Sequence, residues 1–169
     1  MMMKKIFSGL VLSSLVIAGC VKNDHKCSYT DSTATAPASE IDSLKTILQD
    51  SGITAIQNPA GFFYTINQQG SGTSVTNLCS NITATYKGHF FNGNIFDSTL
   101  AGQAATFQLG QVIVGWQKSL PLINKDGDIT LYIPPALAYG ATPRKDNAGN
   151  VIIPANSYLV FRVHVLDIQ

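Results

Sequence analysis

The side chains able to do polar chemistry in this sequence are few and scattered. His25, His89 and His164 share no spacing that gathers them around a metal, and they read as exposed. Asn124-Lys125-Asp126-Gly127-Asp128 invites a calcium reading. It lacks the ligand spacing and the terminal Glu of a calcium loop, so it reads as a turn. No Cys-x-x-Cys is present, so neither a dithiol redox motif nor a zinc site is indicated. No cofactor motif stands out. The chain also carries Tyr86, Phe96, Trp116, Tyr139 and Phe161, and the carboxylate Asp97. Singly, each has an ordinary reading. Phe96, Trp116 and Phe161 suit a packed core. Asp97 suits a turn or a cap, and Tyr139 before Gly140 suits a turn.

The chain has 169 residues, 45% hydrophobic and 12% charged, which suits one domain with a packed core and argues against disorder. The formal net charge is +1, and no cluster of Lys and Arg lies beyond the N-terminus. A nucleic-acid partner, which needs such a cluster, is therefore not expected. Met1 to Lys5 is a short positive region, and Ile6 to Ala18 is apolar. The run is too short to span a bilayer comfortably and has the layout of a secretory signal peptide. Its end, Ile17-Ala18-Gly19-Cys20, resembles the bacterial lipoprotein signal, which implies lipidation of Cys20 and a lipid anchor in the cell envelope, with the outer membrane the favoured site. Residues 1–19 are then the signal peptide. Residues 20–38, rich in Ser, Thr and Ala, are a tether. Cys27 and Cys79 remain. The oxidising compartment favours a disulfide between them, with two free thiols the alternative.

The elements that must position the aromatic set follow from periodicity. Residues 39–59 form a helix and linker, with Ser39 as cap, Asp42 at the capping-box position, Ile41, Leu44 and Leu48 on one face, and Gly52 as the stop. From residue 60 the chain reads as strands: Phe62–Gln69, Asn81–Phe91, Asn94–Ser98, Thr106–Leu109, Asp128–Ile133 and Ser157–Ile168. Asn92-Gly93 signals a two-residue hairpin with positive φ at both turn positions. Val114–Leu120 can make about two helical turns before Pro121. Residues 134–156 read as a long loop with little secondary structure, and such loops are usually functional.

Several segments in order resemble the FKBP-type peptidyl-prolyl cis–trans isomerases. They are Tyr86-Lys87-Gly88, Gly93-Asn94-Ile95-Phe96-Asp97-Ser98, Phe107 to Trp116, Ile133 to Gly140, Ile152 to Ser157 and Leu159-Val160-Phe161. The resemblance covers roughly residues 60–169. It implies an α+β fold, a curved antiparallel sheet of five to six strands wrapped around one short helix. By the same resemblance Trp116 is the floor of a pocket, with Tyr86, Phe96, Val112, Ile113 and Phe161 as walls. Tyr139 and Ile153 sit at its rim, Asp97 is a carboxylate at a buried edge, and Phe107 and Ile152 join the substrate-binding set. The implied partners are proline-containing polypeptides and macrolide inhibitors.

Those residue types suit the chemistry. A peptide bond resists rotation by about 18–20 kcal/mol because its C–N bond has partial double-bond character. The twisted transition state loses that resonance and is less polar, so a water-poor aromatic pocket favours it. The Tyr139 hydroxyl and the Ile153 backbone N–H are suited to donate to peptide carbonyls. Three departures stand out. Ala105 replaces a large aromatic and should weaken macrolide binding. Gln117-Lys118-Ser119 replaces the usual acidic and glycine residues. Ala141–Val151 is several residues longer than in compact members. This last feature keeps a second reading in view, a peptide-binding chaperone or adaptor with little catalysis.

Overall fold

The computed structural model describes residues 27–169. The expected signal peptide, Cys20 and His25 lie outside the described residues. In chain order the elements are α1 (Ala38–Asp50), β1 (Ile56–Gln57), β2 (Phe63–Gln68), β3 (Asn81–His89), β4 (Ile95–Ser98), β5 (Ala105–Gln108), α2 (Val114–Ser119), β6 (Asp128–Ile133), β7 (Arg144–Lys145), β8 (Val151–Ile153) and β9 (Leu159–Ile168). The main sheet is antiparallel, in the order β1-β2-β6-β9-β3-β4. The free edge of β3 is shared, with β5 against Asn81–Ala84 and β4 against Lys87–His89. The sheet therefore has seven strands, not five to six, because the two-residue β1 adds an edge.

The two longest strands, β3 and β9, form the spine, paired from Ile82↔Ile168 to His89↔Val160. Alternation points Ile82, Ala84, Leu159, Phe161, Val163 and Val165 inward. With Ile129, Leu131 and Ile133 of β6 they bury Trp116 and Leu120. Gly115 lets α2 approach the sheet closely, since a Cβ there would lie 2.7 Å from the Ile133 side chain. The reverse face should be polar, yet Phe63, Tyr132 and Val160 are buried there because Leu44 and Leu48 of α1 cover them. Fully burying a Leu side chain contributes about 1.5–3 kcal/mol, which is what holds α1 to the sheet.

Several local expectations change. The helix starts one residue early, with Pro37 at the N-cap and no side-chain cap, so Ser39 caps nothing. Pro fixes a φ suited to helix entry, and here Pro37 sits at −64°. The turn between β3 and β4 runs Phe90–Gly93, closed by Gly93 N–H to Phe90 O, and Gly93 has φ +87° while Asn92 does not adopt positive φ. The long loop contains the β7–β8 hairpin. His89 and His164 are half-buried on the sheet, not exposed.

The tether expected over 20–38 is corrected only in its described part. Residues 27–37 lie on the domain as a strap. Cys27 and Cys79 form a disulfide with Cα atoms 5.6 Å apart. The Tyr29 ring covers Gly110, where a Cβ would collide with it. Lys118 Nζ donates to Ser32 O at 2.5 Å, and Ala36 N–H donates to Ala60 O at 2.8 Å. Composition misleads here because small polar residues can run along a surface when backbone groups find partners.

Candidate active site

A cavity of about 390 Å³ opens between α2 and the concave face of the sheet. Its floor is Trp116, only 5% exposed. Three rings pack around the indole: Tyr86 at 5.3 Å edge-on, Phe161 at 5.2 Å edge-on and Phe107 at 5.3 Å tilted. Edge-to-face geometry of this kind fixes ring orientation as well as burying area. The supporting elements are distinct: β3 carries Tyr86, β5 Phe107, α2 Trp116 and β9 Phe161. Gly88, beside Phe161 in the β3–β9 register, leaves room for the rings, since a Cβ there would meet both Phe161 and Phe96 at 2.7 Å. Val112 and Ile113 close a second side. Their loop is pinned by Gln117, whose Nε2 donates to Val112 O at 2.8 Å.

Polar groups sit at the mouth. The Tyr86 hydroxyl donates to Asp97 Oδ2 at 2.8 Å. Burial, and then the adjacent carboxylate, push the Tyr86 phenol up to about 12. Burial also raises Tyr139, with Arg144 opposing and Asp97 adding to the shift. Both hydroxyls therefore stay protonated and able to donate at neutral pH. The Trp116 Nε1 is buried and has no hydrogen-bond partner among the described residues. Among the described residues no group of His, Cys, Asp or Glu is placed to hold a metal ion. The arrangement offers an apolar, aromatic chamber with hydroxyl donors at its edge.

The FKBP-type peptidyl-prolyl cis-trans isomerase family profile matches residues 73–166. This chain belongs to that family. It is 40% identical over 111 residues to the FKBP-type peptidyl-prolyl cis-trans isomerase FkpA of Buchnera aphidicola subsp. Schizaphis graminum, covering 65% of this chain and 42% of that protein. It is 37% identical over 112 residues to a Legionella longbeachae protein named outer membrane protein MIP, covering 66% of this chain and 46% of that protein. The crystal structure of FkpA from Escherichia coli superposes with a TM-score of 0.64 at 33% identity, covering 78% of this chain and 58% of that one. The chain thus matches less than half the length of these curated relatives.

Within this FKBP-type domain the structure brings Tyr86, Asp97, Phe107, Val112, Ile113, Trp116, Tyr139 and Phe161 to one cavity. Three expected residues stand elsewhere. Phe96 lies behind the wall, its ring 5.4 Å from Phe161 and edge-on to it. Ile153 is buried in the core, pairs with Arg144 in the β7–β8 ladder, and is outside the cavity lining. Ile152 is 42% exposed and outside the cavity lining. Asp97 itself is exposed, not at a buried edge. Residues that sequence reasoning missed are Gln111 and Thr106, and Arg144, expected only as part of a loop overhanging the pocket, also lines the cavity.

Proposed function

We propose that this protein accelerates cis–trans rotation of X-Pro bonds in polypeptides folding in the bacterial envelope. The observation that carries this reading is the Trp116 floor, ringed by Tyr86, Phe107 and Phe161, beneath a cavity large enough for a prolyl ring and its neighbour. The apolar walls strip water from the amide and favour the less polar twisted state over the planar one. Tyr139 donates to a substrate carbonyl and fixes the segment on one side of the bond. Asp97, held by Tyr86, orients the segment on the other side. The polypeptide supplies everything that moves, and no proton or covalent bond is exchanged.

The reading extends to location. The segment ending in Cys20 supports secretion and lipid anchoring, and the relative named as an outer membrane protein favours the outer membrane. Ala105, which lines the cavity, leaves a low wall and weakens binding of bulky macrolide inhibitors.

The test is cis–trans exchange of an X-Pro peptide with the purified, oxidised protein. Wild-type acceleration is expected. Tyr139→Phe removes a hydrogen bond worth about 1 kcal/mol, so kcat/KM falls about fivefold. Asp97→Ala lowers it in the same direction. A folded wild type with no acceleration sinks the isomerase reading and leaves peptide binding without turnover.

A further inference from the structure

The mouth of the cavity carries a positive charge that bond rotation does not require. Arg144 opens β7, is exposed, and lines the cavity. Its guanidinium carbon lies 5.2 Å from the centre of the Tyr139 ring. Stacking of this kind orients the planar guanidinium and leaves its N–H edge free. Among the described residues the Arg144 side chain has no ion-pair partner, the two ion pairs being Lys125–Asp167 and Arg162–Asp128. The other charge at the cavity, Asp97, comes from β4, and one of its oxygens accepts the Tyr86 hydroxyl.

The hairpin that carries Arg144 is braced. Asp146 Oδ1 accepts the backbone N–H groups of Ala148 and Asn150 at 2.9 and 2.8 Å. Its Oδ2 accepts the Asn150 side-chain amide at 3.0 Å. Asp146 N–H also donates to Asn150 O, and Gly149 N–H to Asp146 O. One carboxylate thus organises the whole turn, and Arg144 projects from a structured flap, not from a loose loop. Lys145, the next residue, is absent from the cavity lining, in line with strand alternation.

We propose that Arg144 is a specificity-determining residue that selects polypeptides with an acidic side chain flanking the proline. The proposal rests on the isomerase reading of the cavity and names the substrate class within it. A guanidinium with a free N–H edge at the mouth matches a carboxylate in two-point geometry. The pair stays exposed, so the preference is modest, up to about fivefold, and weakens with salt.

The experiment uses the full oxidised protein and peptides with Glu, Gln or Lys directly before or directly after Pro. Two readouts are taken for each: kcat/KM for cis–trans exchange, and binding from the fluorescence of Trp116, the single tryptophan. At one of the two positions, Glu is expected to exceed Lys up to about fivefold, less so in high salt. Arg144→Gln should bring the Glu-to-Lys ratio close to one, and Lys145→Gln should preserve it. Because the ratio is taken within each variant, a general loss of activity cancels. A wild-type ratio near one at both positions, or a ratio that survives Arg144→Gln, overturns the proposal. Binding without turnover on every peptide strikes the isomerase reading alone, and the binding ratio still decides the role of Arg144. Neither turnover nor binding overturns both.

Discussion

Tyr86 shows how one residue serves both fold and site. Its ring packs edge-on to Trp116 and its hydroxyl reaches Asp97. Burial and that carboxylate raise the phenol from 10.0 to about 12. The folded state therefore holds the proton more tightly than the unfolded chain does. The resulting stabilisation is fully present below pH 10 and is lost as pH rises from about 10 towards 12. Tyr139 and Tyr132 are shifted the same way by burial and add to the trend. Thermal melts across this range should show a falling Tm for the wild type and a shallower fall for Tyr86→Phe, which has no phenol at this site to ionise. Equal slopes would mean that Tyr86 titrates alike in both states. At this scale the sequence was informative about aromatic residues, because their types recur in a recognisable order. It marked Arg144 and Gln117 only as departures from the family pattern, because their roles depend on where a turn aims a flexible side chain.

At the scale of elements, periodicity placed the long strands and α2 within one or two residues, because their inward positions alternate or repeat over enough length. Strands of two or three residues carry no such signal, so β1 and the β7–β8 hairpin were invisible. The α1 cap failed for a related reason: Pro37 set the helix entry before Ser39 could. Gly88 was visible only as part of a motif, and its physical purpose needs the sheet. It sits where β3, β4 and β9 meet, opposite Asp97 on one side and Phe161 on the other. In Gly88→Ala the new methyl meets two packed rings at 2.7 Å, and Phe161 cannot retreat because Trp116 lies 5.2 Å behind it. Overpacking of this kind costs about 1–3 kcal/mol. Urea unfolding should show that loss, and kcat/KM should fall with it, because the displaced Phe161 is a wall of the cavity. A variant as stable and as active as wild type would show that the rings move aside freely.

At the scale of the whole molecule, the strap of residues 27–37 joins regions far apart in sequence. It reaches Cys79 by the disulfide, the Gly110 turn through Tyr29, α2 through Lys118 and the turn before β2 through Ala60. Composition suggested a free tether, and only the possible Cys27–Cys79 pairing hinted otherwise. The bond links cysteines 52 positions apart, and in the chain-entropy model closing a loop of that size stabilises by roughly 4 kcal/mol. Replacing both cysteines by Ser should therefore lower the unfolding free energy by about that amount, measured by urea titration against the oxidised wild type. Turnover at 25 °C should change much less. The strap touches the Gly110 turn, but the wall beyond it has a second hold, the Gln117 amide on Val112 O. Stability and turnover falling together would instead make the strap a working part of the pocket wall, transmitted from Tyr29 through Gly110 to Val112.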